Sequence, residues 1–490
     1  MLTLVTPGTG FVDLEAKLAF GLVRLAAETR CRFSLTPEVG RYRLAIESTV
    51  EEINAVFYLQ ATRHYATETP FTLPGFQKQS RKNFPTKKNG EFQACYRDTD
   101  LSVLFGDSQV GERNPWLQNQ CGHDHIPRFG GKSGLILGTS SHAGMPRRRD
   151  AVRGGNICLC AICGLLAVIG IHAICLRNYL DVGQQLLTLI TTFLPQTPLQ
   201  YDNLLEMLAI KKEIDQTQVS GLLPLQTVPL AILARYPHLA QILAQGSVLF
   251  HLALYSHNPG RPDRVDATRV VLATPLARFI DASPFHAATV ESLLGSRRTP
   301  PAVAPLVELT RALTVEALTD RRRAAAVFAR THAGEELRGH PRLLYHTTGR
   351  YLAEEVCMIP RDIIEHEAIG AVADLVRYFV VHRNYGYVDA IRNARPDSHD
   401  LERTLAAMLR ECRTRRDPDT GRDDCPRAHF VPLPDEGAVR AVMTLAQEAF
   451  EEVKLTLAML GLSRREWEPE PATALVETET AEDVAAEGDA

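Results

Sequence analysis

Residues 157–176 read ICLCAICGLLAVIGIHAICL, and the choice of fold turns on this apolar stretch. Only His172 is strongly polar among its twenty residues, so the stretch is long enough to cross a bilayer as a helix. The four arginines within residues 147–153 also suit the positive-inside rule. Three cysteines in its first seven positions and two glycines favour a different structure, a buried helix that follows a metal-binding turn. A membrane-associated protein that uses residues 157–176 remains the alternative.

The start of this stretch carries a metal-ligand pattern. The turn Cys160-Ala-Ile-Cys163 places two thiolates beside one tetrahedral centre, and structural zinc takes four such ligands. With Cys95 and Cys121 upstream, the candidate zinc ligands are Cys95, Cys121, Cys160 and Cys163. The N-terminus lacks a basic segment followed by a long apolar core, so we expect no secretory leader and a cytoplasmic protein. Clustered cysteines in that compartment favour metal binding over disulfides.

Other possible ligands lie close to this turn. Cys158 competes with Cys160 for a place, and His123 and His125 offer imidazoles upstream. Cys95 stands alone where a second C-x-x-C pair would be expected, so half of a double pattern is present. The simpler interpretation is that ordinary buried cysteines begin a hydrophobic helix. The pattern therefore predicts a structural zinc site or the remnant of one.

The spacing of apolar residues predicts the fold class. Helical spacing predicts helices over residues 12–27, 50–65, 179–193, 202–214 and 228–255, and throughout the chain beyond Pro341. Alternation predicts strands over residues 41–47 and 269–273, and the short apolar run 101–105 also fits a strand. The fold class is therefore α+β, mostly helical. It has a mixed N-terminal body with a cysteine-containing, zinc-knuckle-like insertion, and then a C-terminal helical bundle.

Length and charge suggest how these parts are arranged. At 490 residues the chain exceeds what one hydrophobic core supports. We expect a body over residues 1–335, with the Cys/His knuckle region at about 92–176, a bundle over 336–465 and a disordered acidic tail over 466–490. The tail has nine acidic residues and no basic one, which leaves 54 basic against 49 (58 minus nine) acidic residues before it. This excess of +5 permits nucleic-acid binding but is weak evidence for it.

A polar loop over residues 73–90 concentrates positive charge. Five cations lie within eleven residues, interleaved with amides and two phenylalanines. Cations bind phosphates, amides read base edges and aromatic rings stack, so the loop fits nucleic-acid contact as well as a solvated surface.

Gly130-Gly131-Lys132-Ser133 resembles the end of a P-loop without its first glycine, so we exclude an NTPase. A glycine loop carrying Lys132 suits a phosphate contact, although a plain connector is the simpler interpretation. The candidate nucleic-acid-binding residues are Lys78, Arg81, Lys82, Asn83, Lys87, Lys88 and Lys132.

No complete catalytic motif is present in the sequence. His366-Glu367 begins like a zincin helix, but Gly370 stands where the second histidine would be. The chain also lacks a G-x-S-x-G elbow and a G-x-G-x-x-G fingerprint. We therefore expect a binding protein and not an enzyme. A zinc-dependent hydrolase is the alternative, disfavoured because no glutamate follows a ligand histidine in a recognisable motif.

Three stretches of the chain share a resemblance: residues 9–13, residues 160–170 and the segment 341–462. Together they resemble the large subunit of type I CRISPR effector (Cascade) complexes, in its zinc-knuckle-bearing variety. Thr9-Gly10-Phe11-Val12-Asp13 looks like the family's opening at the head of the first helix. Cys160-Ala-Ile-Cys163-Gly-Leu-Leu-Ala-Val-Ile-Gly170 looks like its second cysteine pair running into a hydrophobic helix. The helical segment 341–462 is similar to its C-terminal bundle. Cys95 lacks the partner that the family's first cysteine pair has.

The resemblance implies a non-catalytic subunit of a CRISPR surveillance complex. Such a subunit contacts the 5′ handle of the guide RNA and the backbone and handle-binding subunits. It helps to find the protospacer-adjacent motif in double-stranded target DNA, assists strand opening and offers a landing surface for the helicase–nuclease. Guide pairing reads the long sequence, while protein side chains read a few base pairs and the DNA backbone. Loop 78–88 is then the expected duplex contact, and no membrane partner is expected.

Overall fold

A computed structural model gives the fold of the protein. It describes residues 1–9, 11–66, 100–104, 121, 160–182, 185–214, 223–256, 269–295, 299–337, 344–396, 399–416 and 431–463. The basic loop 78–88, Lys132, Cys95, Cys158, His123, His125 and the tail 466–490 lie outside the described residues. The chain divides into two compact units, Met1–Asp281 and Ala282–Ala490. The fold is mostly helical α+β, as predicted.

The first unit begins with a three-stranded antiparallel sheet. Its strands are β1 (Leu2–Val5), β2 (Phe33–Glu38) and β3 (Arg41–Ile46), in the order β1-β3-β2. Alternate residues of β3 are buried, which confirms the strand predicted from the period-two pattern there. Gly40 closes the β2–β3 hairpin with a φ of 74°, a conformation that suits glycine because it has no Cβ.

A second antiparallel sheet in this unit has the order β4-β5-β6-β7. Its strands are β4 (Leu176–Val182), β5 (Gln185–Pro195), β6 (Val248–Ser256) and β7 (Arg269–Leu272). The helices of the unit are α1 (Val12–Thr29), α2 (Val50–Ala66), α3 (Ala161–Ile174), α4 (Tyr201–Ile214), α5 (Val228–Arg235), α6 (Pro237–Ala244) and α7 (Thr274–Ala282). Short 3₁₀ turns occupy Leu101–Leu104 and Leu225–Thr227. The predicted helices 12–27, 50–65 and 202–214 and the strand 269–273 are confirmed.

Three sequence predictions in this unit are wrong. The helix expected over residues 179–193 is the β4–β5 hairpin, and residues 189–195 of β5 are buried on both faces. A strand of that kind shows a continuous apolar run that sequence spacing does not distinguish from a helix. The helix expected over 228–255 ends at Arg235, restarts at Pro237 and gives way to β6. The strand expected over 101–105 is a single 3₁₀ turn, too short for a strand pairing.

Helices α1 and α3 form the centre of the first unit, and they cross at two glycines. A methyl group on Gly170 would place its carbon 1.7 Å from the carbonyl oxygen of Lys17. A methyl group on Gly21 would lie 2.2 Å from the carbonyl oxygen of Leu166. Within the apolar stretch 157–176, Ala161–Ile174 form a helix of 14 residues whose described side chains are buried except for His172. Within the described residues, no helix is long and apolar enough to cross a membrane.

Helix α1 also buries three charged side chains. Lys17 Nζ lies 3.1 Å from Asp13 Oδ2, and both side chains are at most 2% exposed. The carboxylate of Glu15 accepts hydrogen bonds from the backbone N–H and the hydroxyl of Thr9, each at 2.6 Å. Burial raises the pKa of Glu15, and the hydrogen bonds from Thr6 and Thr9 partly offset that rise. These contacts hold the N-terminal loop against the helix that follows it.

The second unit is built from helices in its described residues. They are α8 (Pro284–Leu294), α9 (Val303–Thr314), α10 (Leu318–Leu337), α11 (His346–Tyr351), α12 (Arg361–Ile364), α13 (Glu367–Val381), α14 (Gly386–Asn393), α15 (Asp400–Arg415), α16 (Glu436–Glu448) and α17 (Phe450–Leu462). A π-helical turn, Leu352–Val356, extends α11. The helical character predicted beyond Pro341 is confirmed for the described residues, and a C-terminal helical bundle fits this arrangement.

The core of the second unit depends on α13 and α17. Both helices are buried along most of their length, and Tyr378 and Phe379 are fully buried in α13. A methyl group on Gly461 would lie 2.4 Å from a methyl carbon of Val376, so the two helices approach closely there. Arg330 on α10 binds Asp389 on α14 through two hydrogen bonds of 2.5 and 2.9 Å. Such bidentate pairs fix the orientation of the helices that carry them.

The crossing of α1 and α3 predicts a large effect of a small substitution. Gly170→Ala should destabilise the protein by about 1–3 kcal/mol or more, because the added methyl group cannot fit beside the Lys17 carbonyl. The matched control is Gly370→Ala on α13, where an added methyl group meets no atom within 4 Å. That variant should gain up to about 1 kcal/mol from helix propensity. Urea unfolding measures both; equal stabilities of the two variants would contradict the close crossing.

The buried Glu15 predicts a pH-dependent stability. Because the pKa of Glu15 is raised in the fold, its contribution is present below the unfolded pKa and is lost as pH rises through the folded pKa. Glu15→Gln keeps an oxygen that accepts from Thr9 and removes the titration. The unfolding free energy of the variant relative to wild type should therefore increase with pH. Urea unfolding at several pH values checks this, with Glu47→Gln at an exposed position as control.

Candidate metal centre

The start of helix α3 places two of the candidate ligands. Cys160 is the N-cap residue, with extended backbone angles of −68° and 168°, and Cys163 lies in the first helical turn. The Cys160 sulfur accepts a hydrogen bond of 3.4 Å from the Cys163 backbone N–H. The sulfur thus takes the place that a serine or aspartate oxygen usually holds at a helix start, satisfying a free N–H group. The C-x-x-C spacing and the helix cap therefore position both thiols together.

A third cysteine arrives from a distant part of the chain. Cys121 Sγ accepts a hydrogen bond of 3.2 Å from the Cys160 backbone N–H, across 39 residues of sequence. The three sulfur atoms lie within 4.8 Å of one another. Cys121 is 8% exposed, Cys160 1% and Cys163 0%. The structure therefore brings together three of the four predicted ligands, and Cys95, the fourth, lies outside the described residues.

The surroundings of the three thiols influence their ionisation. The hydrogen bond with Cys121 is the main cause that raises the pKa of Cys160, and burial adds to it. The neighbouring thiols Cys121 and Cys160 raise the pKa of Cys163 in the same way, again with a contribution from burial. Three thiolates this close in an apolar setting need a cation among them. A metal ion held by the three sulfur atoms would supply that charge, and the backbone N–H groups of Cys160 and Cys163 already donate to the Cys121 and Cys160 sulfur atoms.

Burial and ligand type indicate what such a site can do. Catalytic zinc sites keep an open position for water or substrate, whereas structural sites are closed and often use cysteine alone. All three sulfur atoms here belong to residues that are at most 8% exposed. The cluster could hold a metal ion, and its chemistry suits a structural ion. A zinc-dependent hydrolase gains no support from this geometry.

Cys175 shows that sequence clustering alone does not define the site. It lies at the other end of α3, as its C-cap residue, and its sulfur lies 3.3 Å from the hydroxyl of Thr192. Burial raises the pKa of Cys175, while nearby Lys17 lowers it. Fifteen positions separate it from Cys160 (175 minus 160), which places the two at opposite ends of one helix. Cys175 therefore belongs to the core between α3 and the second sheet.

Two arginine-rich stretches of the second unit, residues 321–323 and 413–416, include arginines that form hydrogen bonds and ion pairs inside that unit. Arg322 donates to the Cys357 carbonyl at 3.0 Å and to Glu452 at 2.9 Å. Arg413 pairs with Glu436 at 3.0 Å, and Arg415 pairs with Glu411. Exposed pairs of this kind contribute little to stability, but they do occupy the cations. These arginines are therefore weaker nucleic-acid candidates than a loop of unpaired cations would be.

His366, singled out in the sequence, has a structural position. It is the N-cap of α13, where its Nδ1 atom accepts a hydrogen bond of 3.2 Å from the Ala368 backbone N–H. This role explains a histidine directly before a helix-starting glutamate without any metal.

Comparison with known proteins adds no assignment. No protein-family model matches the chain, and no curated protein matches it. The geometry of the described residues and the sequence patterns therefore carry the functional argument.

Proposed function

We propose that the chain is a non-catalytic large subunit of a type I CRISPR surveillance complex, stabilised by a structural zinc ion. The observation that supports this most is the crossing of the two helices that follow motifs more than 140 residues apart in the chain (Thr9 to Cys160). The segment Thr9–Asp13 leads into α1, and the turn at Cys160 leads into α3. The two helices cross at Gly21 and Gly170. The helices that follow two of the three stretches behind the resemblance thus belong to the core of the first unit.

The proposed partners follow from the resemblance and from the charge of the chain. They are the guide RNA with its 5′ handle, double-stranded target DNA, the backbone and handle-binding subunits and the helicase–nuclease. Guide pairing reads the target sequence, so this subunit needs to read a short motif and hold the DNA backbone. Lys78, Arg81 and Lys82 in the basic loop are the proposed contacts with the duplex.

Zinc is the metal that this ligand set suits best. Clustered thiolates with a C-x-x-C turn favour zinc over magnesium or calcium, which prefer oxygen ligands. Cys95 is the proposed fourth ligand, which would complete a set of four thiolates. Since Cys160 also caps α3, metal binding would fix the start of the helix that crosses α1. The ion would therefore stabilise the central core of the first unit.

The zinc site predicts a difference between two cysteines of the same helix. Cys163→Ser should remove most of the bound zinc, because one of the three clustered thiols is lost. Cys175→Ser, at the other buried end of α3, should retain it. Zinc per chain, measured by elemental mass spectrometry after loading and dialysis, checks both. Equal zinc content in the two variants would exclude the cluster as the metal site.

The CRISPR assignment predicts a bound RNA of recognisable form. When the tagged chain is recovered from its native cells, short RNAs should accompany it that share one 5′ repeat-derived handle and differ in their spacers. Sequencing of the recovered RNA measures this, and an unrelated tagged protein from the same cells is the control. Absence of such RNAs from cells shown to express the chain would reject the assignment, whatever the zinc content.

A further inference from the structure

The C-x-x-C turn at the start of α3 has a geometry that also suits thiol oxidation. Cys160 is held at the N-cap, and Cys163 follows three residues later, with the two sulfur atoms within 4.8 Å. Two such cysteines at a helix start are the arrangement of dithiol redox pairs. We propose that Cys160 and Cys163 form a disulfide when the metal is absent, so that oxidation and metal binding exclude each other. This inference rests on the zinc site of the proposed function.

The choice of pair follows from the chain path. Residues three apart at a helix start have Cβ atoms about 5–6 Å apart, and a disulfide needs about 3.8 Å. Cys160 precedes the residues with helical backbone angles and is itself extended, so rotation about its own backbone bonds can close that gap, although its carbonyl accepts a hydrogen bond of 2.9 Å from the Gly164 N–H. Cys121 belongs to a segment 39 residues away along the chain, so its place beside the turn depends on the tertiary fold, whereas the turn itself holds Cys160 and Cys163 close together. The short ring therefore forms first.

The oxidant must be small, because the two thiols are at most 1% exposed. Hydrogen peroxide is of the required class. One thiol first loses its proton; the thiolate sulfur attacks a peroxide oxygen, the O–O bond breaks, and a sulfenic acid forms, while the departing hydroxide takes up the proton as one water. The second thiol sulfur then attacks the sulfenic sulfur, the S–O bond breaks and a second water leaves. Two thiols and one peroxide thus give one disulfide and two waters, with two electrons passing from sulfur to oxygen.

The consequence for the metal site is the loss of two sulfur donors in one step. A disulfide sulfur carries no negative charge, so Cys121 alone would remain of the three clustered thiols. Zinc bound to all three thiolates, in turn, occupies the electron pairs that would attack the peroxide. The reduced, zinc-bound form and the oxidised, metal-free form are therefore alternative states of the same turn. A reductant together with zinc converts the oxidised, metal-free form back to the reduced, zinc-bound form.

The experiment uses the full chain, stripped of metal with a chelator and treated with hydrogen peroxide. Free thiols should fall from ten to eight, and peptide mapping should find one disulfide joining Cys160 and Cys163. Zinc rebinding should be lost and should return with dithiothreitol. The zinc-loaded chain should keep its ten thiols under the same treatment. Cys163→Ser should form no disulfide at the turn, whereas Cys357→Ser, a buried cysteine of the second unit, should behave as wild type.

Several results would overturn the inference. They are ten retained thiols in the stripped protein, a disulfide joining Cys121 to Cys160, and equal oxidation of zinc-loaded and stripped protein. Peptide mapping of the wild-type chain tests the Cys160–Cys163 disulfide even if a variant fails to fold. A protein that binds zinc but forms no disulfide would overturn this inference and leave the proposed function standing. A protein that forms the disulfide but carries no guide RNA would support this inference and reject the CRISPR assignment.

Discussion

The crossing of α1 and α3 is the contact on which the first unit depends. Two glycines remove the side chains that would keep the helices apart, so backbone meets backbone at Lys17 and Leu166. Close packing of this kind gives many dispersion contacts and leaves no room for an added methyl group. The helix that resembled a membrane span therefore finds its apolar surroundings inside the protein.

Helix α1 also carries three charged residues that are buried, Asp13, Glu15 and Lys17. Asp13 and Lys17 form an ion pair inside the core, where burial costs solvation that the pair must offset. Glu15 binds the loop at Thr9 and so ties the N-terminal segment to the helix. A buried pair adds little to stability compared with an apolar core, but loss of one partner leaves an uncompensated charge. Replacing only one of the two paired residues in this helix should therefore cost more stability than replacing both with apolar side chains.

The candidate metal centre lies at the start of α3, the helix that crosses α1. Local geometry places Cys160 and Cys163, since a C-x-x-C spacing at a helix start directs both sulfur atoms to one side. Long-range folding places Cys121, which contacts the Cys160 backbone across 39 residues. The cap, the cluster and the helix crossing therefore form one continuous structure. A change at the sulfur atoms, whether by metal or by oxidation, acts at the N-terminus of the central helix.

Much of this organisation could be predicted from the sequence, for identifiable reasons. The helix over α1, the strand β3 and the helices of the C-terminal part follow from apolar spacing, which reports one buried face. The pairing of Cys160 with Cys163 follows from their spacing. The strand β5 could not be predicted, because burial on both faces removes the alternation that would reveal a strand.

Other features required the tertiary structure because they join distant residues. The sequence named Cys121 as a candidate ligand, but only the fold shows that it meets the turn, because that contact depends on where a segment 39 residues away packs. The close approach of the helices at Gly21 and Gly170 has no local signal. A glycine in a helical sequence shows that the position has no side chain, but it does not show which residue packs against it. The sequence by itself determined a mostly helical α+β protein with a thiol turn before an apolar helix. Long-range packing alone decided that this helix is buried against α1 and that a third thiol meets the turn.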